Sequence, residues 1–156
     1  MKRGFIRIGE ARKTGVEDIE GFVTNFGNIG NYLWKAYKNG YYIEFISLQL
    51  QLIDFWLRIL VTNNNKRKKY GLGDKITFGK LLIDVKEYLP LSLYQELVEY
   101  NNERINAIHK FVLGKCSYNK IGGAAKKYKM IHKKVFTKLP LAKTNEHVLF
   151  KEIDQE

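Results

Sequence analysis

The chain has 156 residues, 45% of them hydrophobic and 13% aromatic, and a formal net charge of +11. That length supports one domain with a real core, and the apolar and aromatic content excludes an intrinsically disordered chain. The single cysteine, Cys116, excludes an internal disulfide and fits a reducing compartment.

Residues 1–14, MKRGFIRIGEARKT, are too polar for a signal peptide, because no apolar run follows the basic residues. They read as a basic N-terminal arm of a single domain covering residues 1–156. Residues 16–37 place Ile19, Phe22, Val23, Phe26, Ile29, Leu33 and Trp34 at helical spacing. Gly27 and Gly30 predict either a kink in that helix or a break into two. Asn39-Gly40 stops it.

Residues 41–61 form the strongest predicted helix, apolar around most of its circumference and therefore packed on several sides. Glu44, Gln49, Gln51, Asp54 and Arg58 interrupt it. A membrane span does not carry that polar load, so a core helix of a soluble, cytoplasmic protein is expected. Asp54, between Ile53 and Phe55, calls for a basic partner, and Arg104 is one candidate. Asn63-Asn64-Asn65 ends the helix, Lys66-Arg67-Lys68-Lys69 follows as a basic loop, and Gly71-Leu72-Gly73 reads as a turn.

Thr77 is placed to cap a short helix whose core side is Phe78, Leu81, Leu82, Val85 and Leu89. Pro90 breaks the chain, and a further helix runs from Ser92 to about Leu113, with Gly114 as its C-cap. Residues 115–138 contain Gly122-Gly123 and then a basic helix, and residues 139–156 read as a tail. Strand alternation is nearly absent. The expected fold is an all-α, up-and-down bundle of four to five helices over residues 15–138.

Between Lys110 and Lys138 there are nine lysines and no acidic residue. Such a field attracts polyanions, and nucleic acid is the commonest partner. Lys110, Lys126, Lys127, Lys129, Lys133 and Lys134 are the candidate RNA-binding residues, with Tyr128 or Phe136 as stacking rings. A solvated basic face is the plainer alternative.

The segment YNNERINAIHKF, residues 100–111, poses the sharpest question. Asparagine is disfavoured inside helices because its amide competes for backbone hydrogen bonds. Asn102, Asn106 and His109 share one polar stripe. Arg104 and His109 lie five residues apart, roughly 140° around an ideal helix. Three arrangements bring them together: a local distortion, an arginine reaching around the helix, or two copies of the helix in a symmetric dimer. For Arg104 alone the plain reading is a salt bridge with Glu99, Glu103 or Asp54. His132 and His147 are isolated, and the sequence offers no cluster of metal ligands.

Arg104-Ile-Asn-Ala-Ile-His109 resembles the arginine, four residues, histidine motif of the HEPN superfamily (higher eukaryotes and prokaryotes nucleotide-binding domains). The order of elements over residues 41–136 is similar to that family as well. The resemblance implies a homodimeric helical bundle that binds RNA, often a metal-independent and cofactor-free endoribonuclease of toxin–antitoxin or antiviral systems. An antitoxin or nucleotidyltransferase partner accompanies such a toxin. In that chemistry the ribose 2′-OH attacks the adjacent phosphate. His109 would move protons and Arg104 would bind the scissile phosphate. Asn102, Asn106 and Asp54 would support the pair. One departure is Ile105, where active members often carry a polar residue. A non-catalytic HEPN-like domain that binds RNA, a nucleotide or a partner protein is the alternative.

Overall fold

The computed structural model describes residues 19–64, 70, 71 and 74–139. The N-terminal arm, the basic loop, residues 140–156 and His147 lie outside them. Among the described residues every regular element is helical: α1 (Ile19–Lys38), α2 (Tyr42–Asn64), α3 (Phe78–Val85), a 3-10 turn (Lys86–Tyr88), α4 (Leu91–Val112), α5 (Tyr118–Lys127) and α6 (Ile131–Phe136). The expected all-α bundle is observed.

Helix α2 is the hub. It packs against α1, α3, α5 and α6, while α4 closes the other side against α3, α5 and α6. Its buried residues, among them Phe45, Ile46, Ile53, Trp56, Leu57 and Val61, face several neighbours at once. Burying each such side chain contributes about 1.5–3 kcal/mol. This is the one described helix long and apolar enough to cross a membrane, yet 61% of its most apolar window is buried inside the fold. It is a core helix.

The termini follow the sequence closely. Thr77 Oγ1 accepts from the Lys80 N–H at 3.3 Å, the cap expected for α3. Gly114, at φ +68°, ends α4. The Gly114 N–H reaches the Phe111 carbonyl at 2.9 Å and the Lys115 N–H reaches the Lys110 carbonyl at 2.6 Å, which together close the last turn.

Of the two readings of Gly27 and Gly30, the break is absent: α1 runs as one helix through both. Gly122-Gly123 lies inside α5, so helix begins before the glycines and not only after them. The reason is a long-range contact: a Cβ on Gly122 would stand 2.7 Å from Cε2 of Tyr42. Glycine is there so that α5 can lie against that ring. Tyr118, at the start of α5, secures the same junction. Its hydroxyl accepts from the Tyr42 N–H at 2.7 Å and donates to the Gly40 carbonyl at 3.0 Å. The basic stretch after α5 turns once more and forms α6.

Candidate functional site on helix α4

Helix α4 buries Leu93, Leu97, Tyr100 and Ala107 against the core and turns its other faces outward. Tyr100 fixes the register of the motif. Its ring meets Tyr128 edge-on at 5.4 Å, and its hydroxyl donates to the Ile46 carbonyl at 3.3 Å. Burial raises the Tyr100 phenol well above the usual tyrosine range, so it is a neutral donor at working pH.

Arg104 sits one turn after Tyr100 and is half-buried. Its Nη2 donates to Oδ1 of Asn101 at 2.7 Å. Its Nε is buried without a hydrogen-bond partner among the described residues. Burial lowers the Arg104 pKa, with Tyr100 opposing the shift; the guanidinium nevertheless stays charged, as arginine does. A buried donor without an acceptor costs about 1–3 kcal/mol. Asn101 is the supporting residue that the polar stripe did not single out. The available signal was its place three residues before Arg104, on the same side of the helix.

His109, Asn102 and Asn106 are all exposed. The helix is unbroken from Leu91 to Val112, so no distortion brings His109 round to Arg104. The guanidinium bonds back toward Asn101, so it does not reach forward to His109 either. Between the two residues an ideal helix rises about 7.5 Å. Of the three arrangements, the two that need only one chain are absent. Apolar side chains surround His109 on the exposed side, with Ile105 38% and Val112 77% exposed.

Asp54 is not part of this site. Its carboxylate accepts from Arg58 Nε, one turn along α2. Arg58 Nη1 also donates to the carbonyls of Gly71 and Asp74, at 2.7 and 3.0 Å. The pair anchors the segment before α3. Glu103 is likewise engaged elsewhere, accepting from Lys127 and from the Tyr128 hydroxyl. Arg104 makes no ion pair among the described residues, so the plain salt-bridge reading does not hold.

The six lysines divide. Lys127 pairs with Glu103, whose hydrogen bond raises its pKa, and Lys134 bonds both oxygens of Glu96 at 2.7 and 2.8 Å. These two tie α5 and α6 to α4. The Lys129 ammonium lies over the rings of Trp34 and Tyr37, at 4.3 and 4.8 Å. Lys110 and Lys126 are exposed and have no ion pair with a described residue, and Lys133 is half-buried. Tyr128 and Phe136 are only 2% and 1% exposed. Neither ring can stack on a base, because packing against Tyr100 and Trp56 consumes them.

His132 is buried, not isolated. Its Nδ1 lies 3.0 Å from Nε2 of Gln49, which also donates to the carbonyls of Tyr128 and Lys129. Gln49 is thus the polar pin between α2 and the α5–α6 turn. Burial first, then Lys133, lowers the His132 pKa to about 4. The ring is neutral at physiological pH. Among the described residues no three His, Cys, Asp or Glu side chains converge to hold a metal ion. Comparison with family models, with curated proteins and with solved structures finds no match to this chain.

Proposed function

We propose that the chain is a HEPN-type endoribonuclease, active as a cytoplasmic homodimer in a toxin–antitoxin or antiviral setting. The observation that carries the reading is the state of Arg104: a half-buried guanidinium held through one nitrogen by Asn101 and engaged in no ion pair among the described residues. A phosphate oxygen is the acceptor that a planar guanidinium fits best.

A two-fold axis beside α4 joins Arg104 of one protomer to His109 of the other. It also covers the exposed Ile105 and Val112. The ribose 2′-OH attacks the adjacent phosphorus and gives its proton to one His109. The bond from phosphorus to the 5′ oxygen breaks, and that leaving oxygen takes its proton from water. Arg104 stabilises the charge gathering on the non-bridging oxygens. The products are a 2′,3′-cyclic phosphate and a 5′-hydroxyl, and no step calls on a metal. An antitoxin or a nucleotidyltransferase is the partner that would restrain such an activity.

The test is incubation of the purified full chain with labelled single-stranded RNA in excess chelator, followed by analysis of the product ends. Cyclic phosphate ends support the reading. A second reading rests on Ile105, an apolar and partly exposed side chain directly after Arg104. It favours a non-catalytic domain that binds RNA, a nucleotide or a protein. RNA that is bound with steep salt dependence and never cut selects this second reading.

A further inference from the structure

Helix α4 carries two stripes of the same spacing. The first, Leu93, Leu97, Tyr100 and Ala107, is buried against the bundle. The second lies one residue further on: Tyr94, Val98, Asn101, Ile105, Ile108 and Val112. Its steps alternate four and three residues without a break over roughly five turns. That is the 3.5-residue period of a seam between two helices, and the positions read d-a-d-a-d-a. Tyr94 and Val98 lean on the core, whereas Ile105 and Val112 are 38% and 77% exposed. No lysine, arginine, aspartate or glutamate stands on the stripe.

Three features identify what covers it. The period calls for a helix of the same period. Asn101 is the single polar position on the stripe; its Oδ1 accepts from Arg104 at 2.7 Å, and its Nδ2 donates to no described residue. One polar layer in an apolar seam fixes the register, and the same amide on a second copy satisfies it. The flanks decide the direction. Arg104 and His109 stand on opposite edges of the stripe, at g and e, and the other flanking residues, Gln95, Leu97, Asn102 and Phe111, supply no carboxylate. An antiparallel copy sets g against g, and so Arg104 beside a second arginine. A parallel copy sets g against the e position five residues further on. Five residues is the step from Arg104 to His109.

We propose that this stripe is a parallel seam with a second copy of the chain, its two-fold axis running along α4. Asn101 pairs with the partner's Asn101, and Arg104 shares one edge of the seam with the partner's His109. Those two residues are about 7.5 Å apart along the seam, and the guanidinium is turned back toward Asn101, which leaves room for a phosphate between them. Each edge carries one such pair, so the dimer holds two equivalent sites. The proposal rests on the homodimer of the ribonuclease reading and adds what that reading leaves open, the direction and register of the pairing.

Cysteine cross-linking reads this geometry without reference to cleavage. In a full chain carrying Cys116→Ser, the variants Ile105→Cys, Ile108→Cys and, on another exposed face of α4, Asn106→Cys are mildly oxidised, each alone and in pairs. A parallel seam sets each seam residue against its own copy. Ile105→Cys and Ile108→Cys are therefore each expected to form a disulfide-linked dimer alone, about tenfold or more faster than Asn106→Cys. Ile105→Asp is expected to keep the circular dichroism spectrum and to sediment as a monomer at concentrations where the wild type is a dimer. Cross-linking only when Ile105→Cys and Ile108→Cys are mixed marks an antiparallel seam and overturns the proposal. Rates no faster than that of Asn106→Cys, or a dimeric Ile105→Asp, also overturn it. A chain that cross-links to its own copy and never cuts RNA supports the seam and counts against the ribonuclease reading. Cleavage by chains that fail to cross-link overturns the seam and leaves that reading standing.

Discussion

Nη2 of Arg104 donates to Oδ1 of Asn101 at 2.7 Å, three residues back along the same helix. The bond fixes a guanidinium whose Nε has no acceptor among the described residues. Asparagine is a poor helix former, and alanine at that position gains about 0.5 kcal/mol in helix propensity. A residue kept against propensity is kept for its side chain.

Asn101→Ala should therefore leave the melting temperature within a few degrees of wild type and lower RNA cleavage about tenfold or more. Thermal melting and single-turnover cleavage, measured on one preparation, check both halves. A variant that melts early and cleaves normally once folded would make the bond purely structural.

Asp54→Asn should show the opposite pattern. Arg58 is 6% exposed and depends on that carboxylate for its charge partner. Removing the charge strands a buried cation, at a cost of about 2–4 kcal/mol. Denaturant unfolding should report the loss, while cleavage per folded molecule stays at the wild-type value. Reduced cleavage at full stability would return Asp54 to the site.

Two adjacent glycines of α5 separate packing from propensity. Gly122→Ala pushes a methyl into the Tyr42 ring, itself wedged between Tyr37 and Tyr118, and should destabilise by about 1–3 kcal/mol. Gly123 has nothing within 4 Å of its would-be Cβ. Gly123→Ala should stabilise by about 0.5–1 kcal/mol through helix propensity alone. Equal effects at both positions, read from thermal melts, would contradict the contact.

Acid should weaken the fold through His132. Its pKa is about 4 in the folded chain, against the usual 6.5 of a histidine side chain. Between those values the unfolded chain binds the extra proton, so stability falls as pH drops from 6.5 to 4 and is unaffected by this group above 6.5. The largest loss is about 3 kcal/mol. His132→Gln, which cannot take up that proton, should flatten the stability profile across the same window. An unaltered acid slope in that variant assigns the loss to other groups.

The bundle was legible where the information is local. Apolar periodicity places α2, Thr77 and its hydroxyl place the start of α3, and Gly114 marks the end of α4. What the sequence could not reveal is settled by partners far along the chain. Gly122-Gly123 looks like a break until the Tyr42 ring is laid against it. Tyr128 and Phe136 look like exposed rings in a lysine-rich stretch until Tyr100 and Trp56 are seen to bury them. For Asp54 the sequence offered Arg104, and its partner is Arg58, one turn along its own helix. The Arg104–His109 spacing was legible as an angle, and its consequence depended on where the arginine points. That direction is set by Asn101, three residues back, a spacing that permits the bond without showing that it forms.

The most direct test is complementation between two inactive chains. Arg104→Ala and His109→Ala are prepared separately, then co-expressed and purified as a mixed population, and each is assayed on single-stranded RNA in chelator. A site built across the two-fold axis predicts that each variant alone is inactive. It also predicts that the mixture regains cleavage, since Arg104 of one chain meets His109 of the other. Wild-type cleavage by either single variant, or a mixture as inactive as its parts, would contradict the account.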